Sequence, residues 1–277
     1  MSTFEIVFLY GSLVMYVLGS LAAGAAARTG DRRRLNQARL AAAMGAGYQA
    51  VVLVSMGART GHFPIDGAFE AFLFLSAAVT FLALALDGLR RLSVLVVGTL
   101  PLSLATTLLA LAIRLTQQAE TPPPEGVSSP WTALHIIVAL GAYGAFALAF
   151  VTGILYLVAQ RQLKDRSLPS MLGLMPSLET VARLNIRSVA SGAALLAGGI
   201  VVGYFYARSL YNRDFDRVDP KIILSCVTLA AYLAILLLNR RPTFRGRRAA
   251  IASVLCFLLV MVNFWASLFW SGLHRYR

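Results

Sequence analysis

The residues best suited to chemistry in this chain are its three histidines, His62, His135 and His274. A neutral imidazole carries a lone pair that can ligate iron, copper or zinc, and its unperturbed pKa near neutrality also allows it to carry a proton. The two cysteines, Cys226 and Cys256, lie in apolar stretches and form no Cys-x-x-Cys motif, which argues against a thiol-disulfide relay or a thiolate metal cluster. ATP-driven transport and the common hydrolase mechanisms are also disfavoured, because their short sequence motifs do not occur.

The elements that must position these histidines are predicted to be membrane helices. Hydrophobic residues make up 58% of the chain and charged residues only 13%, in long apolar runs separated by short connectors. A run of about 20 helical residues crosses a hydrocarbon core. We therefore predict an all-α polytopic membrane protein, a single membrane domain of residues 1–277 with about eight transmembrane helices. The predicted spans are 4–26, 40–58, 68–87, 92–113, 131–160, 187–207, 222–239 and 248–272.

The predicted domain has two halves, four spans at 1–113 and four at 131–277. The first span is expected to remain as a helix rather than be cleaved as a signal, since Met1–Glu5 contains an acid and no basic residue. Residues 115–130 predict a proline-rich outer loop that acts as a spacer. Residues 168–186 predict a short helix on the cytoplasmic surface, opened by Pro176-Ser177.

The distribution of charge predicts the orientation of the chain. Most of the 25 Lys and Arg residues fall in alternate connectors, at 28–39, 88–91, 161–187 and 240–248. By the positive-inside rule these connectors are cytoplasmic and both termini lie outside. The net charge of +13 is then a topology signal, and the expected partner is the lipid bilayer rather than a nucleic acid. The predicted location is a bacterial inner membrane, with multiple passes.

This orientation places all three histidines near the outer face. His62 lies in the loop after the second span, His135 in the first turns of the fifth, and His274 at the end of the eighth. Such a set favours a metal or cofactor site, although interfacial histidines that only hydrogen-bond to headgroups or a backbone carbonyl are the alternative for each one. The outer loop at 208–221 interleaves charged and aromatic residues. It is typical of solvated charge pairs with interfacial anchors, or of a surface that holds a flat anionic ligand.

Several stretches together resemble the membrane domain of the cytochrome c assembly proteins, a haem-handling family that includes CcsA and CcmC, and more closely its shorter HemX-like and YpjD-like members. The matching stretches are Trp131-x-x-x-His135, Ala142-Tyr143-Gly144-Ala145-Phe146, Gly153-Ile154-Leu155-Tyr156-Leu157, Leu174-x-Pro176-Ser177-Leu178-Glu179, Asp219-Pro220-Lys221, Phe244-Arg245-Gly246-Arg247-Arg248-Ala249-Ala250 and Gly272-Leu273-His274-Arg275-Tyr276. Gly61-His62-Phe63-Pro64 with Glu70 adds a weaker match. The resemblance covers about the last 150 residues.

The resemblance implies a haem site at the outer face. His135 and His274 are then the axial ligands of a non-covalently bound haem b, whose iron would have both axial positions filled, as suits custody or delivery. The further cofactor-binding residues implied are His62, Trp131, Arg208, Arg213, Arg217, Asp219 and Lys221. The partner implied is an apocytochrome c or a membrane assembly subunit that supplies the cysteine thiols. No catalytic residue is assigned, and the protein is expected to be an assembly factor rather than an enzyme.

Two departures from the family pattern keep a second function open. The segment before Asp219-Pro220-Lys221 contains no tryptophan, and the family's later histidine is absent from Leu236–Arg240. Both absences fit the shorter members better, which implies an accessory or regulatory membrane protein of tetrapyrrole metabolism or complex assembly that binds a protein partner and not haem. A transporter is the weakest alternative, because no span carries a charged residue near its middle.

Overall fold

The computed structural model describes residues 1–61, 64, 67–90, 92–116, 130–165, 176–211 and 220–269, and its regular elements within these ranges are all helical. The eight α-helices are α1 (Thr3–Thr29), α2 (Arg32–Thr60), α3 (Ala68–Arg90), α4 (Val94–Thr116), α5 (Pro130–Asp165), α6 (Leu178–Tyr211), α7 (Pro220–Leu238) and α8 (Arg247–Phe269). A 3₁₀ turn, Pro242–Phe244, lies between the last two. The predicted all-α fold of about eight helices is confirmed.

Most of these helices are built to cross a membrane. Within the described residues, α1 to α6 each contain a stretch long and apolar enough to span a bilayer, and Ile222–Leu238 of α7 is a shorter apolar helix. Large apolar side chains also remain exposed along α1, such as Val7, Val14 and Leu21, as a lipid-facing surface requires. The protein is a multi-pass membrane protein. The side on which its termini lie remains a prediction.

The structure changes the bounds of two predicted segments, since α2 begins at Arg32 rather than at residue 40. Helix α6 runs unbroken from Leu178 to Tyr211, so the second half of the predicted surface helix, 168–186, belongs to the same helix as the predicted span 187–207. The Ser177 hydroxyl accepts a hydrogen bond from the backbone N–H of Thr180, which starts the helix there. Val181 and Asn185 are buried against neighbouring helices, which explains why the chain stays in one helix. Residues 166–175 lie outside the described residues.

The helices form two groups of four. In the first, α1 packs on α2 and α4, and α3 packs on α2 and α4. In the second, α5 packs on α6 and α8, and α7 packs on the same two helices. Contacts of α5 with α3 and α4 join the groups, and at this junction Val151 lies against Gly98, where a side chain would not fit.

Buried polar side chains tie the first group together. Gln49 of α2 accepts a hydrogen bond from the Tyr16 hydroxyl at 3.0 Å and donates one to the Thr107 hydroxyl at 2.8 Å, so it joins α1, α2 and α4. Ser76 of α3 lies 3.0 Å from the same Thr107 hydroxyl. In hydrocarbon an unpaired polar group is costly, so such bonds hold membrane helices at a defined register.

Successive helices alternate in direction, which gives the bundle two chemically different ends. We call the end with the connections at 30–32, 90–94, 165–178 and 238–247 the arginine-rich end, and the other the opposite end. At the arginine-rich end, Arg39 of α2 pairs with Asp87 of α3 through two hydrogen bonds, of 2.5 and 2.9 Å. At the opposite end, the buried Glu5 carboxylate accepts a bond from Ser55 and lies 3.5 Å from Arg59.

Candidate functional site

His135 lies at the opposite end of the bundle, in the second turn of α5, and its ring is held against α6. Its Nδ1 lies 2.8 Å from the backbone carbonyl oxygen of Gly199. The ring is partly buried, between the lipid-facing surface and the helix contact. The structure therefore places this predicted ligand on a helix, with its ring fixed by a contact to a neighbouring helix.

The hydrogen bond to Gly199 determines which ring nitrogen carries the proton. A carbonyl oxygen can only accept, so Nδ1 of His135 must be the donor. In the neutral ring the lone pair then resides on Nε2. Histidines that ligate metals are commonly oriented in this way, with the other ring nitrogen donating to a carbonyl or carboxylate. The tautomer and the anchoring of His135 are thus ones that metal-ligating histidines commonly have.

Two glycines of α6 hold the imidazole, each in a different way. A Cβ atom at Gly203 would lie only 2.6 Å from Cε1 and 2.8 Å from Nδ1 of His135, closer than real Cβ contacts allow. A Cβ at Gly199 would meet only ordinary contacts, at 3.7 Å from the nearest atoms of Ala139 and Val138. Residues 199–203 form a Gly-x-x-x-Gly pattern, which lets membrane helices approach closely. Gly203 therefore supplies the space for the ring, and Gly199 supplies the carbonyl.

Exposed aromatic side chains lie within about one turn of this position on α5 and α6. Trp131 lies one turn before His135 on α5 and is 63% exposed. Tyr204 and Phe205 follow Gly203 on α6, are 48% and 65% exposed, and their rings meet edge to face at 5.8 Å. Such rings suit the interface between lipid and water, and they also offer faces and edges to a flat apolar ligand.

A second polar cluster lies deeper in the same group of helices. Asn263 of α8 is fully buried and donates hydrogen bonds of 3.0 Å to the hydroxyls of Tyr143 on α5 and Ser225 on α7. Its carbonyl oxygen has no hydrogen-bond partner within the described residues. Nearby, Tyr232 stacks on Phe146 with ring centroids 3.7 Å apart. The motif that carries Tyr143 and Phe146 is thus the part of α5 that packs against α7 and α8.

Sequence reasoning missed this cluster. It also missed the arrangement in which Gly199 and Gly203 hold the His135 ring, which we call the glycine seat. A lone asparagine within an apolar span was a signal for the cluster, since polar residues in spans usually find partners on neighbouring helices. The 199–203 glycine spacing was a signal for the seat. Neither the asparagine nor the glycine spacing predicts which helix packs against these residues.

Beyond His135 and Trp131, the side chains of the predicted site residues lie outside what the structure describes. His62, His274, Arg213, Arg217 and Asp219 lie outside the described residues. Arg208 is in the last turns of α6 and Lys221 in the first turn of α7, and only their backbone is described. In the part of the chain that the structure describes, no three His, Cys, Asp or Glu side chains are grouped to hold a metal ion.

Comparison with known proteins identifies the family. Residues 66–274 match the family model described as cytochrome C assembly protein. The chain is 30% identical over 220 residues to Protein HemX of Brevibacillus brevis, covering 78% of each chain. It is 25% identical over 264 residues to the cytochrome c biogenesis protein CcsA of Porphyra purpurea, covering 82% of each, and 27% identical over 209 residues to Protein HemX of Bacillus subtilis (strain 168), covering 74% of each. The matched range includes Gly199 and Gly203. Since the family model spans most of the chain, the protein belongs to the cytochrome c assembly protein family.

Proposed function

We propose that the protein is a haem-binding membrane factor of cytochrome c biogenesis that holds haem b non-covalently at the outer face of a bacterial inner membrane. The observation that carries this proposal is the bond between His135 Nδ1 and the Gly199 carbonyl, which puts the lone pair of the neutral ring on Nε2, the nitrogen that would ligate iron. Family membership and the CcsA relatives support the same role.

The residues of the chain then have separate tasks. His135 ligates the iron from one side, and His274 is the proposed ligand on the other. Trp131, Tyr204 and Phe205 contact the flat macrocycle through their exposed rings. The further proposed binding residues are His62, Arg208, Arg213, Arg217, Asp219 and Lys221, of which the cations would pair with propionates.

Two imidazole ligands suit storage and transfer of haem rather than chemistry on oxygen, because both axial positions are filled. Covalent attachment to a cytochrome needs cysteine thiols. Cys226 and Cys256 lie on different helices, α7 and α8, and do not form a Cys-x-x-Cys pair. The thiols would therefore come from a partner, an apocytochrome c or a membrane assembly subunit.

The test is a pair of visible spectra, oxidised and dithionite-reduced, of the detergent-purified protein. We expect a sharp Soret band with resolved α and β bands, lost in His135→Ala and in His274→Ala. Added imidazole should restore a low-spin spectrum in His135→Gly, since a free ligand can enter the vacated space. Ile137→Ala, which trims an exposed side chain on the same helix, is the matched control and should keep the spectrum.

A second function would replace this one if the wild-type protein is colourless and takes up no added haemin. The similarity to the two HemX proteins favours that alternative. The protein would then be an accessory or regulatory membrane protein of tetrapyrrole metabolism or complex assembly, and would bind a protein partner through its arginine-rich end.

A further inference from the structure

A cleft of about 430 Å³ opens at the arginine-rich end, on the other side of the bundle from His135. It lies between the last turns of α5, the first turns of α6 and the segment that joins α7 to α8. Asn185 forms part of its wall and is itself fixed by hydrogen bonds to the Ala149 carbonyl and to Ser253. The Asn185 side chain is therefore held in place in the wall of the cleft.

The charges that line the cleft are mainly positive. Arg183, Arg187 and Arg245 contribute to the lining, against one acidic residue, Glu179. Glu179 lies 3.6 Å from Arg183, one turn along α6, so its charge is already shared. Arg187 forms no ion pair with any described residue. Positive charge in the cleft is left without compensation from the described residues.

The start of α8 adds to this imbalance. The first N–H groups of a helix have no partner inside it and carry a partial positive charge, which acidic residues or anions normally offset. The first turn of α8 has no acidic residue and instead begins with Arg247 and Arg248. Gly246, which precedes the helix at φ +72°, has no side chain to cap it. Its space is taken by the Tyr156 hydroxyl, 2.5 Å from where a Cβ atom would lie.

One arginine is held in place where an anion would meet it. Arg245 donates hydrogen bonds from Nε to the Asn239 carbonyl at 3.1 Å and from Nη2 to the Arg240 carbonyl at 3.5 Å, so its guanidinium is anchored to the turn between α7 and α8. An anchored guanidinium loses less freedom when it binds, and its Nη1 hydrogens can donate to a phosphate oxygen. Helix N-termini bind phosphate for the same electrostatic reason.

We propose that this cleft binds the phosphate group of an anionic phospholipid. The helix end without an acid, the two arginines Arg187 and Arg245, and the Tyr156 hydroxyl converge on one concave site. The cleft lies where α5 and α6, which are both long and apolar enough to span a bilayer, meet the membrane surface, so a lipid headgroup is the phosphate source next to it. Arginines that only mark the cytoplasmic side would require neither the cleft nor the anchoring.

The test measures thermal stability of the detergent-purified protein with added phosphatidylglycerol, phosphatidylcholine or inorganic phosphate. Phosphatidylglycerol should raise the midpoint of unfolding, and phosphatidylcholine should not. Replacing both Arg187 and Arg245 by Gln should weaken the apparent affinity about tenfold or more, as loss of charged hydrogen bonds does. The single variant Arg187→Gln, which breaks no ion pair with a described residue, should weaken it in the same direction.

The matched control is Arg32→Gln with Arg33→Gln. These residues start α2 at the same end of the bundle and do not line the cleft, and the double change removes the same charge. The control should keep the wild-type response. Equal loss in the control and cleft variants would show a general charge effect and overturn the proposal. Stabilisation by inorganic phosphate equal to that by lipid would keep the phosphate site and overturn the lipid as its source.

Discussion

At the scale of single residues, the state of His135 depends on two glycines that carry no functional group of their own. The Gly199 carbonyl selects the proton position on the imidazole, and Gly203 leaves the volume in which the ring lies. Because the carbonyl belongs to the backbone, a side-chain substitution at Gly199 does not remove it. A substitution at Gly203 therefore tests the space for the ring, whereas one at Gly199 leaves the hydrogen bond to the carbonyl in place.

This separation yields a prediction for Gly203→Ala against Gly199→Ala. The new methyl at position 203 would overlap the ring at 2.6 Å from Cε1, so the ring must turn or shift away from the Gly199 carbonyl. We expect the affinity for added haemin, measured by Soret titration, to fall at least tenfold, about 1.4 kcal/mol. Gly199→Ala should change it little, because its methyl meets ordinary contacts.

Both variants should elute like the wild type in size-exclusion chromatography. Equal haemin affinity in the two variants would mean that the position of the His135 ring does not matter for binding. Loss of binding in Gly199→Ala alone would mean that helix packing, rather than the ring position, controls the site.

At the scale of elements, α6 is held to its neighbours by one polar side chain near each end of the contact. Asn185 bonds to the Ala149 carbonyl at 2.7 Å, lies 3.3 Å from the Thr152 hydroxyl, and accepts a bond from Ser253 on α8. At the other end His135 reaches Gly199. Between them, Gly192 lies so close to Phe146 that a Cβ atom would be 2.5 Å from its ring. These contacts set the register of α5 against α6, which in turn places His135.

The element-scale prediction concerns Asn185→Ala. The change removes the bonds that link α5, α6 and α8 in a water-poor interior, and leaves a small cavity. We expect the free energy of unfolding in detergent to fall by about 1 to 2 kcal/mol. Asn36→Ala is the control, since Asn36 is exposed and its side chain accepts a hydrogen bond from Arg39 on its own helix. It should cost less than about 0.5 kcal/mol. Equal costs would show that the three-helix link adds nothing beyond a surface contact.

At the scale of the whole molecule, the two ends of the bundle differ in charge and in proposed role. The arginine-rich end carries the Arg39–Asp87 pair and the phosphate cleft, and the opposite end carries His135 with its aromatic neighbours. The positive-inside rule predicts that the arginine-rich end is cytoplasmic. The two proposed binding sites would then face different compartments.

The prediction at this scale is tested by cysteine labelling in cells, with Cys226 and Cys256 replaced by Ala. Arg33→Cys marks the arginine-rich end, and Thr60→Cys, at the end of α2, marks the opposite end. A membrane-impermeant maleimide should label the cysteine at position 60 in intact cells and the one at position 33 only after permeabilisation. The reverse pattern would place His135 on the cytoplasmic side and contradict delivery of haem at the outer face.

The sequence by itself determined the number of helices and most of their limits. The thickness of the hydrocarbon core sets the length of an apolar run, and charged residues stay outside the core. The number of helices and their limits can therefore be predicted without a structure. It also placed His135 near a helix end, and its ordered motifs indicated the family that the comparisons confirm. The start of α6 was harder to predict, because Leu178–Ile186 is polar enough to resemble a surface segment.

Only the tertiary structure decided what the side chains meet. In a helix of a soluble protein, the apolar stripe shows which face is buried. A membrane helix is apolar towards both lipid and protein, so its sequence only weakly predicts which face packs against other helices. That His135 contacts Gly199 and Gly203, that Asn263 reaches Tyr143, and that Arg187 and Arg245 line one cleft all depend on which helices pack together and in what register. Such contacts arise from close packing between distant parts of the chain.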